Sequence, residues 1–208
     1  MRNRLSSLAA VVIGLWLAGS AIAGAQAVLA PPFGLRWGDT PEKLIVWASR
    51  HSLDVSISLP GDQPDLRIIR IAPREGKLPG SAAQALEGRF HRGRLFEVAI
   101  HYREPDTAAD TMEARFNKLK KELAAEYGPL SANQQERSVV NGFATRTASF
   151  HREPVKGLLL LLAYSEVHDQ LRQTREATFS LLYRNDNLRR NLDNAAGSDG
   201  RETGGEQK

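Results

Sequence analysis

The sequence predicts an α+β protein in which an antiparallel sheet of about seven strands packs against two helices. Each of two helical stretches is followed by a run of strand-like stretches. This order favours antiparallel pairing over the alternating strands and helices of a parallel sheet. Sequence signals for the start and the end of a helix also delimit both helical stretches. The order is compatible with two helix-plus-sheet units in tandem, although no sequence identity between the halves supports a duplication.

The first helix is predicted from residues 39–42, Asp-Thr-Pro-Glu. They supply an N-cap at Asp39, a proline in the first turn, and an acidic residue, Glu42, whose side chain can reach back to the N-cap. Apolar residues then recur at helical spacing and predict an end near His51 or Ser52. Over residues 55–59 and 66–71, apolar and polar residues alternate as they do in strands with one exposed face.

A β-hairpin is predicted over residues 86–102, because alternating apolar residues flank a turn that contains glycine. The second helix is predicted to begin at Asp106 or Thr107 and to end before Gly128. Three further strands are predicted, at residues 138–150, 157–167 and 175–184. The run 158–162 is apolar on both faces, which predicts a central strand covered on each side.

Residues 1–27 are predicted to be a secretory signal peptide. Arg2 and Arg4 precede an uncharged run with an apolar centre, and two small-residue sites follow it. We expect cleavage after Ala23 or Ala27. An uncleaved membrane anchor is the alternative, since the run is long enough to cross a bilayer.

The rest of the chain divides into a single α+β domain over residues 31–186 and a polar, glycine-rich stretch over residues 187–208. The first has the length and composition of one globular domain. The second offers almost no apolar surface to offset the entropy of ordering, so we expect a disordered tail.

The mature chain is close to electrically balanced and contains no cysteine. The net charge of +4 for the whole sequence falls to +2 when Arg2 and Arg4 leave with the signal peptide. This balance argues against nucleic acid as a partner, since nucleic-acid binding favours a dense basic face. Without cysteine there is neither a disulfide nor a lipid-modified cysteine. Cleavage then leaves a periplasmic or secreted protein with no stable membrane span.

No motif for a catalytic nucleophile, a phosphate-binding loop, a zinc protease or a calcium loop occurs in the sequence. We therefore predict no catalytic residue, no metal site and no cofactor. Five histidines are the remaining candidates for acid–base or metal chemistry: His51, His91, His101, His151 and His168. His91 in the hairpin turn and His101 on the polar face of the hairpin are expected to be solvated. An enzyme would need His151 or His168, which flank the central apolar strand, to meet a carboxylate in a cleft.

A basic cluster surrounds the predicted hairpin turn and comprises Arg89, His91, Arg92 and Arg94. Arginine binds phosphate or carboxylate through two hydrogen bonds, so the cluster is suited to a lipid headgroup, an envelope phosphate or an acidic partner. A solvated turn in an arginine-rich chain is the simpler interpretation. Trp37 and Trp47 are expected in the core, although aromatic faces also stack on ligands.

Residues 34–42, and the later hairpin with a helix ending at Tyr127-Gly128-Pro129, resemble a layout seen in small exported bacterial proteins. The resemblance implies an envelope location and no catalytic residue.

We therefore expect an uncharacterised exported envelope protein that acts as a non-catalytic binding or adaptor module. Its partner would be an envelope protein or an anionic envelope polymer. A binding module predicts an exposed apolar patch or an uncovered strand edge. A periplasmic carrier with an apolar cavity between sheet and helices is one alternative. A hydrolase with an unfamiliar site is the other.

Overall fold

The computed structural model describes residues 29–199, so the predicted signal peptide and residues 200–208 lie outside the described residues. The elements in chain order are α1 (Pro41–Arg50), β1 (Asp54–Ser58), β2 (Leu66–Ala72), β3 (Ala85–His91), β4 (Arg94–Arg103), α2 (Ala109–Tyr127), β5 (Ser131–Val140), β6 (Phe143–Val155), β7 (Leu158–Asp169), β8 (Thr174–Asn185) and α3 (Asp186–Asp199). Within this part of the chain, every helix is too short or too polar to cross a bilayer.

The strands form one antiparallel sheet in the order β1-β2-β3-β4-β8-β7-β6-β5. Each half of the chain is a helix followed by a four-stranded meander, and the halves meet where β4 pairs with β8. The α+β class and the antiparallel sheet are confirmed. The described residues hold eight strands and three helices, however, where the sequence predicts about seven and two.

The additional strand comes from the stretch predicted as one strand over residues 138–150. The chain reverses at Asn141 and Gly142, with φ of 50° and 82°, and this turn separates β5 from β6. Asn-Gly is the preferred pair for a two-residue hairpin because both central positions of a type I′ turn need a positive φ. Hydrophobic alternation alone merges the two strands, whereas the turn residues distinguish them.

One face of the sheet is covered by α1 and α2, and we call it the helix face. Met112 and Phe116 of α2 are buried there, and the Phe116 ring centroid lies 5.2 Å from that of Tyr164 on β7 and 6.0 Å from that of Phe179 on β8. Leu44 of α1 is also buried, over β3. The core therefore lies between the two helices and the sheet.

The opposite face is open over most of the sheet. Along β7, buried side chains that face α2 alternate with partly exposed ones that face away, including Leu159 and Leu161. The strand is central, as predicted, but it is not covered on both sides. Only one of its faces lies in the core.

Helix α3 occupies residues 186–199, part of the stretch expected to be a disordered tail. Polar contacts attach it to the β3–β4 hairpin. His91 Nε2 lies 2.6 Å from Asp193 Oδ1, and Arg92 donates a hydrogen bond to the Leu192 carbonyl oxygen. Residues 187–199 of that stretch are therefore helical, while its remaining residues, 200–208, lie outside the described residues.

Candidate functional site

The open face of the sheet is concave. A cavity of about 660 Å³ on this face is lined by residues of six of the eight strands, from Arg70 on β2 to Asn133 on β5. In a flat sheet these two strands would be about 29 Å apart, at about 4.8 Å per strand. The sheet therefore curves around the cavity, which we call the trough.

Hydroxyl side chains cover the floor of the trough. Successive side chains of a strand point to opposite faces, so these residues come from alternate positions. They are Thr147, Ser149, Ser165, Thr178 and Ser180. The strand registers place them side by side, since Ala163 of β7 lies between Ser149 of β6 and Ser180 of β8. Small side chains on this face leave room for the cavity.

His101 lies in the trough directly opposite Ser180 across the β4–β8 pair. Its Nε2 atom is buried and has no hydrogen-bond partner among the described residues. Burial lowers the pKa of His101, and the nearby Arg70 guanidinium lowers it further. This differs from the solvated histidine that the strand pattern predicts, because the curved sheet shields the ring.

Charged and amide side chains stand at the rim of the trough. Arg103 Nη2 lies 3.5 Å from Glu176 Oε2. Arg70 forms no ion pair with any described residue. Asn133 donates a hydrogen bond to Ser149 Oγ at 3.1 Å. With two arginines against one glutamate, the rim carries a surplus of positive charge.

A second cavity, of about 530 Å³, opens on the same face at the opposite end of the strands. Its base consists of Arg89, Glu97 and Arg184, which the registers place beside each other on β3, β4 and β8. Glu97 is four residues from His101, or about 13 Å at about 3.3 Å per residue. We call this second cavity the arginine pocket.

Glu97 is a buried carboxylate between two arginines. Arg89 Nε lies 3.2 Å from Glu97 Oε1, and Arg184 Nη1 lies 3.9 Å from Glu97 Oε2. Burial raises the pKa of Glu97, although both guanidinium groups favour its charged form. The carboxylate therefore holds two guanidinium groups at the base of the pocket.

Three more cations surround the arginine pocket: Lys156 from the β6–β7 turn, and Arg189 and Arg190 from α3. Arg190 Nη2 donates a hydrogen bond to Asn187 Oδ1 at 2.6 Å. The side chains of Lys156 and Arg189 have no hydrogen bond or ion pair within the described part of the chain. The five cations of the pocket face three lining carboxylates, those of Glu97, Glu153 and Asp186, and Glu87 lies 3.1 Å from Arg89 Nε, which leaves a net charge of +1.

The basic cluster predicted around the hairpin turn does not form one site. All four of its members have different partners within the protein: Arg89 with Glu87 and Glu97, His91 with Asp193, Arg92 with Asp65, and Arg94 with the Gly38 carbonyl oxygen. Only Arg89 lines the arginine pocket. The other cations of the pocket lie far along the chain, and no local pattern links them to Arg89.

The remaining histidines do not converge on one site. His51 follows α1, with its ring centroid 5.2 Å from that of Trp47. His151 lies on β6 and has a buried Nδ1 without a partner among the described residues, whereas His168 lies near the far end of β7. Neither His151 nor His168 forms an ion pair with a described carboxylate. In residues 29–199, no group of three or more His, Asp or Glu is arranged to hold a metal ion.

A smaller cavity of about 320 Å³ lies on the helix face, between α2 and the sheet. Tyr102, Met112 and Phe179 line it, together with charged side chains of α2 and β4. Trp37 and Trp47, which the sequence predicts in the core, are partly buried and pack against the edge of the buried cluster.

Both outer strands of the sheet, β1 and β5, have one edge that pairs with no strand of the described chain. They are exposed along nearly their whole length. Exposed apolar side chains accompany them, namely Val55 and Ile57 on β1 and Val139 and Val140 on β5. The uncovered edge and apolar surface expected of a binding module are therefore present.

Fold and site together define an α+β protein with two helix-and-meander units, whose concave face lies away from α1 and α2. Comparison with known proteins gives no match, whether with protein-family models, curated proteins or solved structures. The function must therefore be argued from the site itself.

Proposed function

We propose that the chain is a non-catalytic binding module of the bacterial cell envelope, which holds an extended partner in the trough. The trough carries this proposal, because it is an open cavity of about 660 Å³ whose floor presents five serine and threonine hydroxyl groups beside small and aliphatic side chains. The hydroxyl groups can hydrogen-bond to an extended ligand along several neighbouring strands.

An anionic envelope polymer fits the trough better than an envelope protein does. Sugar hydroxyls can both donate to and accept from the serine and threonine hydroxyls of the floor. Arg70, which has no ion pair among the described residues, attracts an anionic group. The uncovered edges of β1 and β5 instead favour an envelope protein as the partner, since an extended peptide segment can pair with such an edge as an additional strand.

The envelope location rests on the predicted signal peptide. The described fold begins at Leu29, whose side chain is fully buried and whose carbonyl oxygen accepts a hydrogen bond from Trp37 Nε1 at 2.8 Å. Cleavage after Ala23 or Ala27 leaves Leu29 on the mature domain. The proposed processing is therefore compatible with the packing of the core.

Photo-crosslinking in the cell envelope tests the binding role. The full-length sequence is expressed in a bacterial host with a benzophenone amino acid in place of Ser180, on the trough floor. We expect an adduct of high mass that shrinks on glycosidase treatment. The matched control carries the same group in place of Lys121, which is exposed on α2 and lines none of the cavities described above. Equal yields at both positions, or no adduct at Ser180, would contradict the proposal.

A carrier of an apolar ligand is the second candidate, and the cavity between α2 and the sheet supports it. Its volume of about 320 Å³ lies at the small end of the range of about 300–1,000 Å³ for ligand sites. Native mass spectrometry of the purified protein separates the two candidates. A bound apolar molecule, detected as added mass on the protein, would favour the carrier.

The hydrolase alternative has no comparable support. His101 faces Ser180 across the strand pair, yet no hydrogen bond joins the two side chains. A serine nucleophile needs a base within hydrogen-bond reach, and that base needs a group to orient it. Among the described residues, no carboxylate forms a hydrogen bond with His101.

A further inference from the structure

We propose that the arginine pocket is a phosphate-binding subsite, which recognises a phosphate monoester on the partner that the trough holds. The inference rests on the proposed function and extends it, because it names the anionic group bound at one end of the concave face.

The charge of the pocket favours an anion. Five cations and three carboxylates line it, and Glu87, whose carboxylate lies 3.1 Å from Arg89 Nε, offsets one more cation, so the net charge of the group is +1. A phosphate monoester carries about −1.5 to −2 at neutral pH. The pocket therefore attracts it more strongly than a singly charged carboxylate.

Both guanidinium groups at the base of the pocket lie beside carboxylates before any ligand binds. Arg89 Nε donates a hydrogen bond to Glu87 at 3.1 Å and lies 3.2 Å from Glu97 Oε1, which leaves its two terminal nitrogens without an ion pair among the described residues. Arg184 Nε lies 3.0 Å from Asp186 Oδ1 and Arg184 Nη1 lies 3.9 Å from Glu97 Oε2, but Arg184 Nε makes no hydrogen bond with a described residue. The planar guanidinium group of an arginine can bind two phosphate oxygens at once.

The rim of the pocket supplies cations without partners. Lys156 and Arg189 are exposed, come from different elements, and form no ion pair within the described residues. Their repulsion from Arg89 and Arg184 is relieved by an anion between them. The pocket is therefore a place where binding an anion removes an unfavourable interaction as well as adding favourable ones.

The position of the pocket links it to the trough. Glu97 and His101 lie on the same face of β4, about 13 Å apart. Ala99 lies between them and is opposite Leu182 of β8. These two apolar side chains form the floor that connects the pocket to the trough. A polymer with a phosphate in the pocket can continue along this floor into the trough.

Titration calorimetry at low ionic strength tests the inference on protein purified after expression of the full-length sequence. The probes are inorganic phosphate, glucose 6-phosphate, glucose and galacturonate. We expect both phosphate compounds to bind, with glucose 6-phosphate the tighter, while glucose shows no binding. Arg189→Gln should weaken both interactions about tenfold, the usual effect of losing a hydrogen bond between charged groups.

Arg67→Gln is the matched control. Arg67 is exposed on β2 but lies opposite Phe90, on the helix face. Its replacement should leave the affinity for phosphate unchanged. An equal loss from Arg67→Gln and Arg189→Gln would overturn the site, because it would indicate general attraction to a basic protein.

The other outcomes are also decisive. Equal affinity for galacturonate and glucose 6-phosphate would overturn the phosphate assignment. Tighter binding of inorganic phosphate than of glucose 6-phosphate would assign the pocket to the free ion and overturn its link to a polymer. If phosphate does not bind while the Ser180 adduct still forms, the subsite is wrong and the binding module stands. Loss of the adduct with phosphate binding retained overturns the proposed function alone.

Discussion

Replacing Glu166 with glutamine should lower the free energy of unfolding by about 2 kcal/mol at neutral pH. Glu166 lies on the helix face of β7 and is only 8% exposed. Its Oε1 accepts hydrogen bonds from Nε and Nη2 of Arg175, at 3.0 and 2.7 Å, and its Oε2 accepts one from the Tyr164 hydroxyl at 2.9 Å. The carboxylate therefore joins β7 to β8 beneath α2.

The magnitude follows from these contacts. Each hydrogen bond to a charged group contributes about 1.5–3 kcal/mol. Arg175 is 41% exposed, however, so solvent screens much of the pair. The glutamine side chain keeps one oxygen that can accept a hydrogen bond from Arg175. Its N–H₂ group takes the place of the other carboxylate oxygen, beside the Tyr164 hydroxyl. The loss should therefore be near that of one charged hydrogen bond and well below the sum of three.

The dependence on pH has a definite sign. Burial raises the pKa of Glu166, but the hydrogen bonds from Arg175 and Tyr164 outweigh burial and place the pKa below its usual value of 4.5. Because the pKa is lowered in the folded state, the contribution of the Glu166 carboxylate to stability is complete above about pH 4.5. It is lost as the pH falls through the pKa of the folded state. The difference between wild type and Glu166→Gln should therefore shrink as the solution is acidified.

Urea unfolding at about pH 7 and about pH 3 measures both quantities. Glu122→Gln is the control, since Glu122 is 59% exposed and lies 3.9 Å from Lys118 on the surface of α2. Its effect should stay below about 0.5 kcal/mol. A Glu166→Gln effect that does not depend on pH, or that is no larger than the control, would refute the electrostatic account of this contact.

Two further changes probe packing and the arginine pocket. Gly88→Ala should destabilise the fold by about 1–3 kcal/mol, because an added Cβ lies 2.7 Å from Leu44 Cδ2. Urea unfolding measures this, and Gly61→Ala, which meets nothing within 4 Å, should show no comparable loss. Glu153→Gln should tighten inorganic phosphate about two- to fivefold at low salt, since it removes a negative charge but keeps an oxygen for the Gly157 N–H. Unchanged or weaker binding in calorimetry would contradict the charge argument.

Helix boundaries were the most predictable part of the fold, because proline and glycine act locally. Helix α1 begins at Pro41 and ends next to His51, and α2 ends at Tyr127, before Gly128 with its φ of 89°. The predicted start of α2 at Asp106 or Thr107 was wrong, since the helix begins at Ala109 with Ala108 as its N-cap. The cap of α1 was off by one residue. Thr40 is the N-cap, while Asp39 accepts a hydrogen bond from the Arg36 N–H at 2.7 Å. An aspartate beside a threonine offers two caps, and the sequence does not distinguish them.

The trough was only partly predictable. Alternation along the hairpin correctly placed His101 on the face opposite the core, because the two-residue period depends on the strand alone. The shielding of its ring depends on the curvature of the whole sheet and on β8, whose pairing with β4 joins distant parts of the chain. The arginine pocket shows the same limit. Arg89 was identified as a candidate for binding anions, but its neighbours come from the last strand, a later turn and α3.

Both cavities of the concave face are centred on the seam between the two helix-and-meander units. At one end of the seam His101 of β4 faces Ser180 of β8, and at the other Glu97 of β4 faces Arg184 of β8. Each cavity therefore needs residues from both units, and neither meander holds a complete site. A ligand bound as proposed lies along this seam and contacts both units at once. The pairing of β4 with β8, which makes one sheet from two meanders, thus also forms the proposed binding face.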